Sequence, residues 1–339
     1  MYFLYKKLLM IFYNHNSMTL DTKKLAIPVI IMVRVLCLSF LLLSPSSSFA
    51  KKNSTFIVID ARVQAHQKIS NILKQHLSNT TDLQIFHNQE ISRKQIILAQ
   101  PSLIITLGYR SAQVIPPSSI PTLYTLISEE NSNNLHICQV SNCKQKGIST
   151  NSYSIYLDQP ISRQLNLLSL LFPNTQKVGV LIADFSKKKL VSLKNEVAKR
   201  NISLKSQLVQ SPSTLSSQLN MLIQNIDILF TLPDPLIHNK HTISNLLLTT
   251  YRHNIPVIGF SKSYVNAGAI AAIYSSHAQI AQHISELASS ILLSAKHITN
   301  TPFSPKYFSI AINKSVARSL DLHLPDEHLL KSQLLAIEK

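Results

Sequence analysis

The side chains that could do chemistry in this chain sit where apolar runs give way to short polar segments. Asp234 follows the run 226–231 in the context Pro233-Asp234-Pro235. Its carboxylate can accept hydrogen bonds from a bound group, or it can cap a helix starting near Leu236. Ser261, Ser263 and Tyr264 follow the run 256–260; they can donate hydrogen bonds to a guest or serve as ordinary turn residues. Asp184 and Ser186 open a loop ahead of a Lys-rich helix, where Asp184 faces a cleft or caps that helix. Tyr109 and Arg110 follow Gly108, and Arg62 follows the first apolar run. An arginine there can clamp an anion and a tyrosine can stack on a ring, unless these loops are merely solvated.

None of these groups forms a nucleophile–base pair, and G-x-S-x-G, G-x-G-x-x-G, a phosphate loop and H-E-x-x-H are missing from the sequence. The expectation is a protein that holds a small molecule without transforming it, with no cofactor and no metal.

The elements that would position these residues alternate. Runs at 56–60, 83–86, 102–107, 121–126, 178–182, 203–209, 226–231 and 256–260 read as strands. Helical spacing covers 64–77, 161–171, 187–200, 213–224, 236–253 and 276–295. The segment 111–115 is helical at best, and 129–152 reads as a loop or an irregular hairpin through 136–140. The tail holds a strand at 307–312 and short helices at 314–319 and 326–336. The fold class is therefore α/β, with two doubly wound parallel-sheet lobes facing an interlobe cleft. One lobe is expected from 51–157 plus about 273–300, the other from 158–272 plus about 301–339. Gly108, Gly259 and Gly268, three of only five glycines, should sit where the backbone needs them.

Length and composition agree with two domains. The chain has 339 residues, 45% of them apolar and 14% charged. Residues 32–50 read as a secretory signal: Arg34, an apolar run to Leu43, then Ser48-Phe49-Ala50. Translation could start at Met18 or Met32, and the alternative reading is a membrane anchor over 25–43, which Arg34 interrupts. Export would place Cys138 and Cys143 in an oxidising compartment, where they form a local disulfide or stay as two unrelated thiols. The net charge of +17 is scattered, with no basic stripe interleaved with aromatics, so no nucleic-acid partner is expected.

Several segments carry a resemblance. Residues 101–108 (PSLIITLG) are similar to a "PDLIVAIG" pattern, and 164–181 to "QLELLKELLPNAKRVGVL". Residues 227–234 (DILFTLPD) are similar to "DAIYVPTD", 255–271 to "IPVF" followed by "GALA", and 312–325 (INKSVARSLDLHLP) to "INLKTAKALGLTIP". These patterns belong to the ABC transporter substrate-binding proteins, which have the type-I periplasmic binding-protein fold. The resemblance implies three crossovers between lobes, a small solute, an amino acid in the better-understood members, and a membrane permease as partner. It makes Asp234 the acceptor for a ligand ammonium and places Ser128 in the ligand-facing loop after the fourth strand. The chain departs from the family pattern at 109–110, 127–129, 183–185, Pro235 and 146–149. The altered loops 109–110, 127–129 and 183–185 motivate the alternative of a sensing or docking module that reports to a membrane sensor protein without transport. In either reading the expected protein is a periplasmic monomer.

Overall fold

The computed structural model describes residues 53–135, 151–293 and 301–338. The signal segment, Cys138, Cys143 and the 136–140 hairpin lie outside the described residues. Lys52–Lys339 is one of two compact units of the chain and carries every element described below.

Two sheets divide this unit into lobes. The first is built from β1 (Ser54–Ile59), β2 (Asp82–His87), β3 (Leu103–Leu107), β4 (Thr122–Ile127) and β5 (Ser152–Tyr156) in the order β2-β1-β3-β4-β5. All its pairings are parallel. The second holds β6 (Lys177–Ile182), β7 (Ser203–Leu208), β8 (Ile228–Phe230), β9 (Val257–Gly259), β10 (Ala271–Tyr274) and β11 (Ser309–Ile312) in the order β11-β10-β9-β8-β6-β7. Only β10–β11 is antiparallel. Without β11, the second order repeats the first, so each sheet reverses direction after its first strand. Ligands of doubly wound sheets bind at such switch points.

β1 and β3 read as continuous apolar runs because both of their faces are buried. Helix α1 (Gln64–Leu77) buries Ile69, Leu73 and Leu77, the i, i+4, i+8 stripe, against the first sheet. Helices α2 (Arg93–Ala99), α3 (Tyr109–Ala112) and α4 (Glu129–Asn134) follow β2, β3 and β4. In the second lobe, α5 (Ile161–Leu171), α6 (Lys189–Ala198), α7 (Leu215–Ile223), α8 (Ile243–Arg252) and α9 (Lys262–Ala267) flank the sheet.

The chain passes between lobes three times. It leaves β5 through residues 157–160 into α5. It leaves β10 into α10 (His277–Leu292), whose Ala281, Ile284 and Ala288 pack on the α1 stripe of the first lobe. It returns past Phe303, which bridges Ile155, to β11. The tail then adds α11 (Lys314–Ser319) and α12 (Glu327–Ile337), the latter burying Leu330 and Leu334 in the second lobe.

Side chains stitch these passages together. The Gln159 amide donates to Ser275 Oγ at 2.8 Å, and Ser275 donates to the Tyr307 carbonyl at 2.6 Å. Arg163 on α5 donates to Gln159 Oε1 and to the Pro305 carbonyl, both at 2.8 Å, and forms a two-point ion pair with Glu338 beyond α12. The three passages, termed the hinge region below, thus form one hydrogen-bonded cluster rather than three independent strands of chain.

The structure corrects several expectations. Residues 261–268, read as a loop, form α9, because Ser261 caps it and Tyr264 and Val265 bury into the lobe. The helix expected from 236 starts only at Ile243, since turns held by Asp234 and Asn239 occupy the intervening chain. Helix α2 and strands β5 and β10 were not foreseen.

Among the described residues, no helix is long and apolar enough to cross a membrane. None of them form a group of three or more His, Cys, Asp or Glu placed to hold a metal.

Candidate functional site

The strand ends of both lobes converge on two adjoining cavities. One, of about 270 Å³, is walled by Leu232, Pro233, Phe260 and Ser261 of the second lobe, by Ile280 of α10, and by Asp158, Gln159, Gln164, Tyr274 and Ser275 at or near the hinge. Its neighbour, of about 330 Å³, is lined by Glu129, Glu130 and Tyr156 of the first lobe and Lys188, Lys189 and Glu196 of the second. Asp158, Gln159, Ile161 and Lys189 border both.

The first cavity is largely apolar with polar groups at one end, the usual design of a small-molecule site. Phe260 forms its wall because two rings hold it from behind. The His238 ring lies 5.4 Å from it, and Tyr264 lies 5.1 Å from it. Tyr264 Oη pairs with His238 Nδ1 at 2.9 Å. Burial pushes the His238 pKa down to about 4 despite the opposing pull of Asp234, so this imidazole is neutral near pH 7.

At the polar end, Lys189 Nζ lies 2.6 Å from Asp158 and 3.5 Å from Glu130. Glu130 belongs to the first lobe, Asp158 to the hinge and Lys189 to the second lobe, so the cluster ties all three. Burial works against the Lys189 ammonium, but Asp158 and then Glu130 outweigh it and its pKa is raised. Burial also pushes the Glu130 carboxyl up, against the pull of Lys189.

Of the ten candidate residues, only Ser261 borders these cavities. Asp234 lies off both cavities. It is buried and accepts hydrogen bonds from Ser186 N (3.0 Å), Ser186 Oγ (2.8 Å) and Leu236 N (2.9 Å). These bonds hold the turn after β8 and cap no helix, since α8 starts only at Ile243. Ser186 is fully buried by the same contacts. Tyr264 is buried, with its hydroxyl committed to His238. Ser261 and Ser128 cap α9 and α4, the latter at the head of the segment that supplies Glu129 and Glu130.

Asp184 and Ser263 are exposed and lie off both cavities. Arg62 is spent on Asp60, which it meets at 2.9 Å through Nε and at 2.8 Å through a terminal nitrogen. Arg110 approaches the same carboxylate at 3.5 Å. The Arg62 hydrogen bond, against a smaller burial penalty, holds the Asp60 carboxyl well below the usual range. Tyr109 is half-buried beside this cluster and also lies off the cavities. Sequence reasoning missed Gln159, Gln164, Lys189, Glu130, Phe260 and Tyr274. The available signal was position alone: Phe260 ends an apolar run and Gln164 sits in the first turn of a clear helix.

Comparison with known proteins places this architecture. Residues 58–334, well over half of the chain, match the family model described as ABC transporter substrate binding protein, and the chain belongs to that family. No curated protein sequence matches it. The fold is similar to the ligand-free, open structure of CD0873, a substrate binding protein with adhesive properties from Clostridium difficile. That structure has a TM-score of 0.65 and 17% identity, covering 81% of this chain and 96% of that one. It is also similar to an ABC domain from Streptococcus pneumonia in complex with L-Trp, with a TM-score of 0.55 and 16% identity over 82% of this chain and 97% of that one. A periplasmic ribose ABC transporter from Conexibacter woesei aligns with a TM-score of 0.51 and 11% identity, covering 80% and 95% of the two chains. The protein is thus a substrate-binding protein of an ABC transporter family, with the type-I periplasmic binding-protein fold.

Proposed function

We propose that this protein is exported, captures a small solute between its lobes, and delivers it to a membrane permease by hinge closure, without chemical transformation. The observation that carries this reading is the pair of cavities whose walls come from both lobes and from the passages between them. A solute seated there would touch Phe260 of one lobe and Ile280 of the other, so closing the hinge would bury it more fully. The volume of about 270 Å³ suits a molecule of amino-acid size. The apolar wall suits an apolar or aromatic side chain, as the L-Trp complex of the streptococcal relative also suggests. The secretory-signal reading of 32–50 supports a periplasmic location.

A thermal-shift screen over amino acids and related metabolites tests the reading. A solute at a hundred times its Kd should stabilise the fold by about 2.7 kcal/mol. Silence across a broad panel would contradict it.

A further inference from the structure

We propose that Lys189 is an interlobe latch: its ammonium, anchored on Asp158, captures Glu130 of the opposite lobe as the cleft shuts, so the cleft is closed part of the time before any solute arrives. This rests on the proposed hinge closure and names the contact that sets its balance.

Nothing local calls for burying this lysine. Lys187, Lys188 and Lys189 follow one another, and the first two are exposed. Lys189 opens α6, where the helix dipole opposes a positive charge and no side chain caps the helix. It is nonetheless only 7% exposed. Glu129 and Glu130 repeat the contrast in the first lobe. Both open α4, yet Glu129 is exposed and Glu130 is buried. In each run the buried member is the one that meets the other lobe across the cleft.

The two partners of Lys189 hold it differently. Asp158 accepts a hydrogen bond from Nζ at 2.6 Å, and it lies on the passage that runs into α5 of the same lobe. Glu130 Oε2 lies 3.5 Å from Nζ and has no hydrogen bond of its own, so its burial depends on this ion pair. Opening the cleft would keep the first contact, break the second and return Glu130 to water. The other ion pairs among the described residues stay within one lobe or on the passages. A buried charge stripped of its partner destabilises far more than the intact pair stabilises. Removing the Lys189 ammonium therefore leaves Glu130 buried beside Asp158 with no buried cation, and opening relieves it.

Single-molecule energy transfer on the full chain without solute tests this, with dyes on unnatural amino acids replacing Lys94 of α2 and Asn220 of α7. Both positions are exposed, and their helices follow β2 and β7, the edge strands farthest from β5 and β11. The parent should show an open and a closed population. Glu130→Lys and Lys189→Met should each lower the closed one about tenfold or more. Adding Glu130→Gln to Lys189→Met should restore part of it, a recovery that mere damage to a lobe would not give, and melting curves check that each variant is folded. A parent held at one short distance that opens in the two single variants supports the latch equally. Exchange between two distances that ignores Glu130 and Lys189, or that shifts towards closure in Lys189→Met, would overturn the latch and leave the hinge standing. One distance in the parent and in every variant would overturn both.

Discussion

Asp234 shows how a residue singled out from sequence can carry a structural role in the fold. It lies at the end of a strand in the switch-point region, as a ligand acceptor should. However, two backbone amides and one hydroxyl already occupy its buried carboxylate. Asp234→Ala should therefore cost about 2–3 kcal/mol of stability in urea denaturation, the scale for losing buried bonds to a charged acceptor. Asp184→Ala, at an exposed position, should stay within about 0.5 kcal/mol of the parent.

His238 gives a pH signature at the same scale. Its folded pKa, about 4, lies below the ordinary value of 6.5. Between those values the unfolded chain binds more protons, so stability rises with pH. The contribution is fully present above pH 6.5 and is lost as the pH falls towards 4. Its Nε2 is buried but the residue as a whole is partly exposed, so the loss is at most about 3 kcal/mol. Burial also lowers the pKa of His66 and His283, so the slope has the same sign at all three sites. Unfolding free energies measured between pH 7 and pH 4.5 should fall, and His238→Asn should flatten part of that fall.

Among the elements, those with a long apolar stripe were legible. The 64–77 and 161–171 periodicities coincide with α1 and α5. Short elements were not, because tertiary pairing makes them. β10 is Ala271-Ala272-Ile273-Tyr274, which gains strand identity only between β9 and β11. α9 has six residues and depends on burying Tyr264 and Val265. α2 buries only Ile96, so its stripe is faint, yet the capping box of Ser92 and Gln95 was there to be read. Gly108, by contrast, was rightly singled out. Its φ is +85°, and a Cβ there would lie 2.6 Å from His66 Cε1. Gly108→Ala should destabilise by roughly 1–3 kcal/mol, which thermal melting would register.

At the scale of the whole molecule, two halves with the same strand order enclose the cleft, and a hydrogen-bonded hinge joins them. The alternation of runs revealed that plan, since each β/α unit announces itself locally. The site was harder to see, because its polar end comes from the passages between lobes, which have no periodicity. Lys189 illustrates the difficulty. In sequence it is the last of three lysines that open the expected helix over 187–200, an ordinary charged run. In the fold it is buried between a hinge carboxylate and a carboxylate of the opposite lobe.

A crystal structure of the protein with its solute bound tests the central claim most directly. The account predicts density between Phe260, Tyr274 and Gln164, with groups from both lobes in contact with the solute. A solute lodged on the outer face of one lobe, touching nothing of the other, would contradict it.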